Sequence, residues 1–425
     1  MFGDGVSYSL LQGCRVLDLT DEKGLLCGRI LGDFGADVVK IEKPGGDPAR
    51  NKGPFYKDLP HPERSLFWFY TNANKRSITL NLETAEGIDI FRHLVRTAHF
   101  VVESFEPGYM ASLGLDYPNL SEINPGIIMT SITPFGQTGP YARYRTTDIV
   151  GVAMGGMLHL YGEPERPPVR IGQPQAFFQG AVQGAMASAV AHYHRELTGE
   201  GQYIDVSIQQ AVVLTLMIAA ELWDLSRVNY RGVGPYRLSH RPNPLGNLRT
   251  QLIFPCKDGH VLHYLVGGAS AGGVQSTQGF VAMANDEGEL IEYTDYDWTT
   301  FSISTLAQEE VSRIQTAFAD FMAGATKDEL FREALKRSVL LGPVATLEDA
   351  VHGPQMLARE WFVEVDHPEL NNIIAYPGAP FKLSRYPCQM RRRAPLIGEH
   401  NQEIYYQELG LSKQQLVVLK SQGVV

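Results

Sequence analysis

Strand-like and helix-like stretches alternate along the first third of this chain, and that alternation narrows the fold more than any other feature of it. CRVLDLT (Cys14 to Thr20) reads as a buried strand, and GRILGDFGADVVKIEKPGGD follows as a helix, a glycine turn and a second apolar strand, VVKIE. RSITLNL, HFVVESF and GIIMTSITPFG read as further strands, and TAEGIDIFRHLVRTA as a helix that starts at Thr84. Strands separated by helices predict an α/β fold with a parallel sheet covered on both faces. The G-x-G-x-x-G fingerprint of dinucleotide sites is absent; the nearest glycine-rich stretch, Gly45 to Pro48, follows a strand but opens no helix, so a conventional NAD site is not expected.

A chain of 425 residues exceeds what one hydrophobic core normally organises, so two domains are expected. Residues 1–225 hold the strand-helix units, and within them 175–223 read as two buried helices flanking a short strand, YIDVSI. The apolar run Ala211 to Ala220 is about half of the roughly 20 residues a membrane span needs and reads as a buried helix. Residues 226–246 carry Gly, Pro and Arg without apolar periodicity and read as a linker or active-site loop. A small domain is expected over 247–343, with a hairpin turning at Lys257-Asp258-Gly259 and helices between about Thr305 and Leu340. The tail, 344–425, reads as a helix (LEDAVHGPQMLA), strands at WFVEVDHP and FKLSRYP, and a final amphipathic helix, GLSKQQLVVLKSQG.

Charge and cysteines exclude several classes. The net charge of −10 disfavours a nucleic-acid or anionic-membrane surface, so any polyanionic ligand must be met by a local basic pocket. Cys14, Cys27, Cys256 and Cys388 lie far apart, with neither C-x-x-C nor paired-His spacing, which predicts no zinc site, no disulfide framework and a reducing cytoplasm. The start, MFGDGVSYSLLQG, lacks the cationic and apolar segments of a secretory signal. His159 and His263 sit in apolar runs and read as core histidines, and Arg391 to Arg393 as a solvated strand end or a partner-facing patch.

Six motifs, in order, resemble those of the family III coenzyme A (CoA) transferases. They are GRILGDFGADVVKIEKPGGDPAR, NANKRSITLNL, VVESFEPGYMASLGLDY, SITPFGQTGPYA, RELTGEGQYIDVSIQQAV and APLIGEHNQEIYYQELGLS. The resemblance covers nearly the whole chain. It implies a large nucleotide-binding-like domain built from both chain ends, with 344–425 completing it, and a small α+β domain inserted between them. It also implies an interlocked, ring-like dimer.

The family reaction moves CoA between carboxylic acids through an aspartate. The carboxylate attacks the thioester to give a mixed anhydride, the freed CoA thiolate returns to form an aspartyl thioester, and the acceptor acid repeats the sequence. Counting back from His194, Arg195 and Thr198 to Gln202 puts that aspartate column at Phe177, and no Asp or Glu lies between Glu165 and Glu196. Phe177 therefore reads as a core residue beside the polar Gln173, Gln175 and Gln179, with Asp148 and Glu163 as the carboxylates that could swing in. The family's racemase branch uses a His and an Asp; this chain has Thr147-Asp148 where the family often carries Tyr-Asp or Tyr-Glu and lacks the Asp column, so the resemblance does not imply racemase chemistry. For CoA, the resemblance implies Lys43, Phe105 and Arg145, with Lys75 and Arg76 as additions; the alternative for each cation is a solvated surface charge. Ala73, Glu106 and Ser112 depart from residues the family often carries there.

A kept scaffold without its nucleophile predicts the non-catalytic subunit of a heterodimer or heterotetramer, paired with an aspartate-bearing paralogue and acting on a CoA ester and a dicarboxylic acid. Within the family the resemblance points to transfer from succinyl-CoA to benzylsuccinate, in anaerobic aromatic degradation. The alternatives are a homodimeric acyl-CoA binding protein, and an acyl-CoA isomerase that uses another carboxylate.

Overall fold

A computed structural model describes residues 9–239, 247–268, 270–302 and 305–425, and the chain divides into two compact units. The larger unit contains residues up to Leu158, Arg170–Asn229 and Gln355–Val425; the smaller contains His159–Val169 and Tyr230–Pro354. The smaller unit thus begins earlier and ends later than the expected 247–343, and it takes in a short segment, His159–Val169, read above as part of the large domain. Residues 240–246 of the expected linker lie outside the described residues.

The larger unit is built on six parallel strands: β1 (Arg15–Leu19), β2 (Asp37–Glu42), β3 (Lys75–Thr79), β4 (Phe100–Glu103), β5 (Ile128–Thr133) and β6 (Gln202–Ser207). Their order is β3-β2-β1-β4-β5-β6, so the chain runs outward from β1 in one direction, returns, and continues from β4 in the other. That reversal leaves a crevice at the carboxyl ends of β1 and β4, where open α/β sheets bind ligands. One face carries α1 (Leu25–Asp33), α2 (Leu66–Asn72) and the long α7 (Ala176–Thr198). The other carries α3 (Ala85–Val95), α4 (Tyr109–Ser112) and α5 (Tyr117–Ile123); α6 (Asp148–Met154) precedes α7. Thr84 caps α3, its Oγ1 accepting the Gly87 N–H at 3.0 Å, which is why the helix begins where the sequence places it.

Small residues decide how closely α7 approaches the sheet. A Cβ on Gly180 would sit 2.6 Å from Ile208, and one on Gly184 2.8 Å from Ile132, so glycine at both is required by contact. The return segment closes the β3 edge. The Thr79 N–H donates to Asn401 Oδ1 at 2.9 Å, the Tyr405 hydroxyl donates to the Thr79 carbonyl at 2.6 Å, and the Asn81 N–H donates to the Val424 carbonyl at 2.7 Å. A large unit made from both chain ends follows from these bonds.

Several elements differ from expectation. Residues 211–220 are not one buried helix: α8 (Ile208–Leu214) stops, Met217 takes a φ of 51°, and α9 (Ala219–Ser226) restarts, leaving Leu214, Met217 and Ile218 exposed. FKLSRYP is not a strand. The expected strand WFVEVDHP forms β12 (Phe362–His367) and pairs with β13 (Asn372–Pro377), whose β-branched Ile373 and Ile374 suit an antiparallel ladder better than a stretch hemmed by Pro380 and Pro387. Arg391 to Arg393 is not a strand end: Arg391 and Arg392 are exposed, but Arg391 donates to the carbonyls of Gly32 at 2.8 Å and Ala36 at 2.9 Å at the end of α1, and the half-buried Arg393 pairs with Glu369 and Glu399. His159 is exposed, not in the core.

The smaller unit has an antiparallel ladder of β7 (Tyr236–Ser239) and β8 (Leu248–Gln251) and the antiparallel sheet β11-β10-β9, made of β9 (Ile253–Cys256), β10 (Gly259–His263) and β11 (Leu341–Pro343), with its hairpin at Lys257-Asp258. Three helices pack on it: α10 (Ala271–Asn285), α11 (Gln308–Ala323) and α12 (Lys327–Lys336). The sequence reading missed α10, whose glycines and small polar residues hide its apolar face. Among the described residues no single helix is long and apolar enough to cross a membrane.

Candidate functional site

At the crevice between β1 and β4 the two following loops are tied together. The Asp21 N–H donates to Ser104 Oγ at 2.9 Å, and Ser104 Oγ donates to Asp21 Oδ1 at 2.8 Å. Behind them Glu103, at the end of β4, accepts the Phe105 N–H on Oε2 at 2.7 Å; burial pushes its carboxyl up to about 7. Three residues expected to meet CoA collect on this edge. Phe105 lies 4.6 Å from the Tyr109 ring, centroid to centroid; Lys43, at the end of β2, pairs with Glu83 at 2.7 Å; and Arg145 pairs with Glu106 at 2.7 Å. The Tyr109 phenol lies close enough to both Lys43 and Glu83 to influence their charge, which joins Lys43 to Phe105.

Lys75 and Arg76, the additions to the expected CoA set, are engaged within the chain. Both begin β3, but the Lys75 ammonium reaches across to the carboxyl end of β1 and the start of α1, where it is enclosed. Lys75 is fully buried, and its Nζ donates to Asp18 Oδ2 (2.7 Å), the Leu25 carbonyl (2.6 Å) and Asn72 Oδ1 (2.9 Å), so its three N–H groups are spent. Arg76 is consumed by Asp37, Glu403 and Glu408. Lys75 belongs to a polar network that the sequence reading missed. Lys40 contacts Asp47 at 3.2 Å, and Arg50 contacts Glu42 at 2.7 Å, with every member nine-tenths or more buried. Burial raises the Asp18 carboxyl, but the ammonium groups of Lys75 and Lys40 outweigh it and hold Asp18 below the usual carboxylate range. The signal was present as charges at alternate positions of otherwise apolar strands: Asp18 on β1, and Lys40 and Glu42 on β2.

The expected nucleophile position is the first turn of α7. Phe177 is 3% exposed and packs in the core under the sheet, and no acidic residue occupies that turn. A carboxylate does reach it from α6. Asp148 Oδ2 accepts the Gln175 N–H and Oδ1 accepts the Phe177 N–H, each at 3.0 Å. Asp148 thus satisfies two backbone donors that the helix start leaves unpaired, where the helix dipole favours a negative charge. Beside it lies a cavity of about 240 Å³ lined by Lys52, Asp148, Arg170 and Gln175 among others, with Lys52 paired to Glu22. Glu163, the other candidate carboxylate, belongs to the smaller unit and pairs with Arg166 at 3.4 Å. Among the described residues no group of three or more His, Cys, Asp and Glu could hold a metal ion.

Residues 11–401 match the family model described as CoA-transferase family III. The chain is 33% identical, over 92% of each protein, to the succinyl-CoA:(R)-benzylsuccinate CoA-transferase subunit BbsE of Thauera aromatica. It is 32% identical, over 98% of each, to the succinyl-CoA--D-citramalate CoA-transferase of Chloroflexus aurantiacus. A crystal structure of a CAIB/BAIF family protein from Brucella suis superposes with a TM-score of 0.79 at 28% identity, covering 94% of this chain and 99% of that one.

Proposed function

The chain belongs to CoA-transferase family III, and from that premise we propose that it is the non-catalytic subunit of a heteromeric CoA-transferase whose paralogous partner carries the nucleophilic aspartate. The observation that carries this reading is the first turn of α7: Phe177 fills core space there, and Asp148 accepts a backbone N–H on each carboxylate oxygen. A nucleophile must lose its acyl group as readily as it takes it, and an aromatic ring offers no lone pair for either step. In the partner, the aspartate oxygen bonds to the thioester carbonyl carbon, the C–S bond breaks and CoA leaves as thiolate. The thiolate then attacks the anhydride at the aspartyl carbonyl and releases the donor acid. This chain contributes the second link of an interlocked ring.

A stripe on α7 supports the need for a second chain. Val182, Met186, Val190, Tyr193 and Leu197 recur at helical spacing and are all exposed, joined by Met217, Trp223 and Leu225 after β6. The donor and acceptor are succinyl-CoA and a benzylsuccinate-like dicarboxylic acid, a reading that rests on the similarity to BbsE. CoA phosphates would meet Lys43 and Arg145, and the adenine Phe105.

The test is reconstitution. The purified chain, a family III paralogue bearing Asp in the Phe177 column, and the two co-expressed are assayed for CoA transfer from succinyl-CoA to benzylsuccinate. Activity is expected only from the pair, with both chains in one particle. Robust transfer by this chain alone overturns the proposal.

A further inference from the structure

Lys43 and Arg145, on the crevice edge, are each paired with a carboxylate from within the chain. Lys43 Nζ lies 2.7 Å from Glu83 Oε1 and Arg145 Nε lies 2.7 Å from Glu106 Oε1. A third pair on the same edge, Lys23 with Asp21, is equally balanced. All four side chains of the first two pairs are more than half exposed, at 61% and 56% for Lys43 and Glu83 and 88% and 64% for Arg145 and Glu106. Exposed pairs of this kind contribute little to stability, so their presence on the crevice edge is not explained by folding. They do change what the crevice can hold. CoA brings a 3′-phosphate and a diphosphate, and a phosphate that approaches Lys43 or Arg145 also approaches a fixed carboxylate.

We propose that Glu83 and Glu106 are specificity-determining residues of this crevice: each is a counter-anion paired with one of the cations expected to meet CoA, Lys43 and Arg145, and together they make the crevice charge-balanced and a weak site for CoA phosphates. The ligand class rests on the proposed function, whereas the charge balance rests on the two ion pairs alone. One consequence is a division of labour, in which the acyl-CoA is held by the partner's crevice and this one stays open. A unit charge within roughly 6 Å of a phosphate dianion changes its binding about tenfold in low salt. Screening at physiological ionic strength reduces that to about threefold.

The experiment is calorimetry on the full chain with CoA, at low and physiological salt, for the wild type, Glu83→Gln, Glu106→Gln and the double variant. Each single change is expected to tighten CoA binding about threefold to tenfold, more at low salt, and the double variant to multiply the two gains. Adenosine, which has no phosphate, is expected to bind all four proteins alike. A double variant that binds CoA no more tightly than the wild type, or binds adenosine more tightly by the same factor, overturns the assignment, as does the absence of CoA binding by every variant. Lys43→Ala and Arg145→Ala, made in the wild type and in the double variant, separate the two levels. If they weaken CoA binding while Glu83→Gln and Glu106→Gln do nothing, the counter-anion assignment alone falls. If they change nothing, the CoA crevice of the proposed function falls with it.

Discussion

Acid should loosen the smaller unit before neutral conditions or moderate heat do, and His263 is the reason. Its side chain is fully buried against Phe280 (4.3 Å between ring centroids), Phe318 (5.7 Å) and Phe254 (6.2 Å), and neither ring nitrogen has a hydrogen-bond partner. Burial alone lowers its pKa from the usual 6.5 to about 3. The imidazole is therefore neutral in the folded chain and takes up a proton readily once unfolded. Because the folded value is the lower one, the stability this group contributes is fully present above pH 6.5 and is lost as the pH falls from 6.5 toward 3. At about 1.4 kcal/mol per pH unit the loss is about 2 kcal/mol at pH 5, or about thirtyfold in the opening equilibrium. Other histidines titrate as well, so the measurement is a difference. Hydrogen exchange of peptides covering β10 and α11 is compared between the wild type and His263→Leu at pH 7.5, 6.5, 5.5 and 5.0, after correction for intrinsic rates. Leucine has no orphaned nitrogen to leave behind, so the variant is expected to match or exceed the wild type at pH 7.5. The protection ratio should then move a further thirtyfold in the variant's favour by pH 5. A ratio that stays constant across the series refutes the reasoning, because it would mean that His263 has a bonded partner or access to water.

Lys75→Met removes the ion-pair partner of Asp18 and leaves that buried carboxylate only the Thr20 donors and the more distant Lys40 ammonium; it is expected to cost about 3 to 5 kcal/mol in thermal or urea unfolding of the full chain, with much of it recovered by adding Asp18→Leu. Gly28→Ala should destabilise, although alanine normally favours a helix by about 1 kcal/mol over glycine, because the new Cβ would sit 2.2 Å from Asp18 Oδ2; an unchanged melting temperature argues against that contact. Asp148→Ala removes both acceptors at the start of α7 and is expected to cost about 1 to 2 kcal/mol, read as faster proteolysis or exchange confined to residues 170–180. Phe177→Asp puts a carboxylate in the expected nucleophile column but removes a core ring at a cost of about 3 to 5 kcal/mol. Little or no CoA transfer should result, and an acyl or CoA adduct in good yield, seen by intact mass or trapped with hydroxylamine, would show the pocket to be competent.

The alternation of the first third was enough to give the strands, their helices and a parallel sheet, because burial on both faces leaves an apolar run at each strand and Thr84 marks its helix start chemically. The absence of any carboxyl group between Glu165 and Glu196 was equally legible, since it is a matter of residue identity. Partnership was not. Lys75 and Arg76 look like phosphate-binding cations in a string of residues, and only the tertiary structure brings Asp18 to Lys75, and Asp37 with the returning Glu403 and Glu408 to Arg76. The same holds for Asp148, whose meeting with Phe177 spans 29 residues of chain, and for Arg391, which finds the end of α1 more than 350 residues away. Period and propensity are local and survive in one dimension. Which charge neutralises which depends on through-space distances of about 3 Å, and only the tertiary structure determines those.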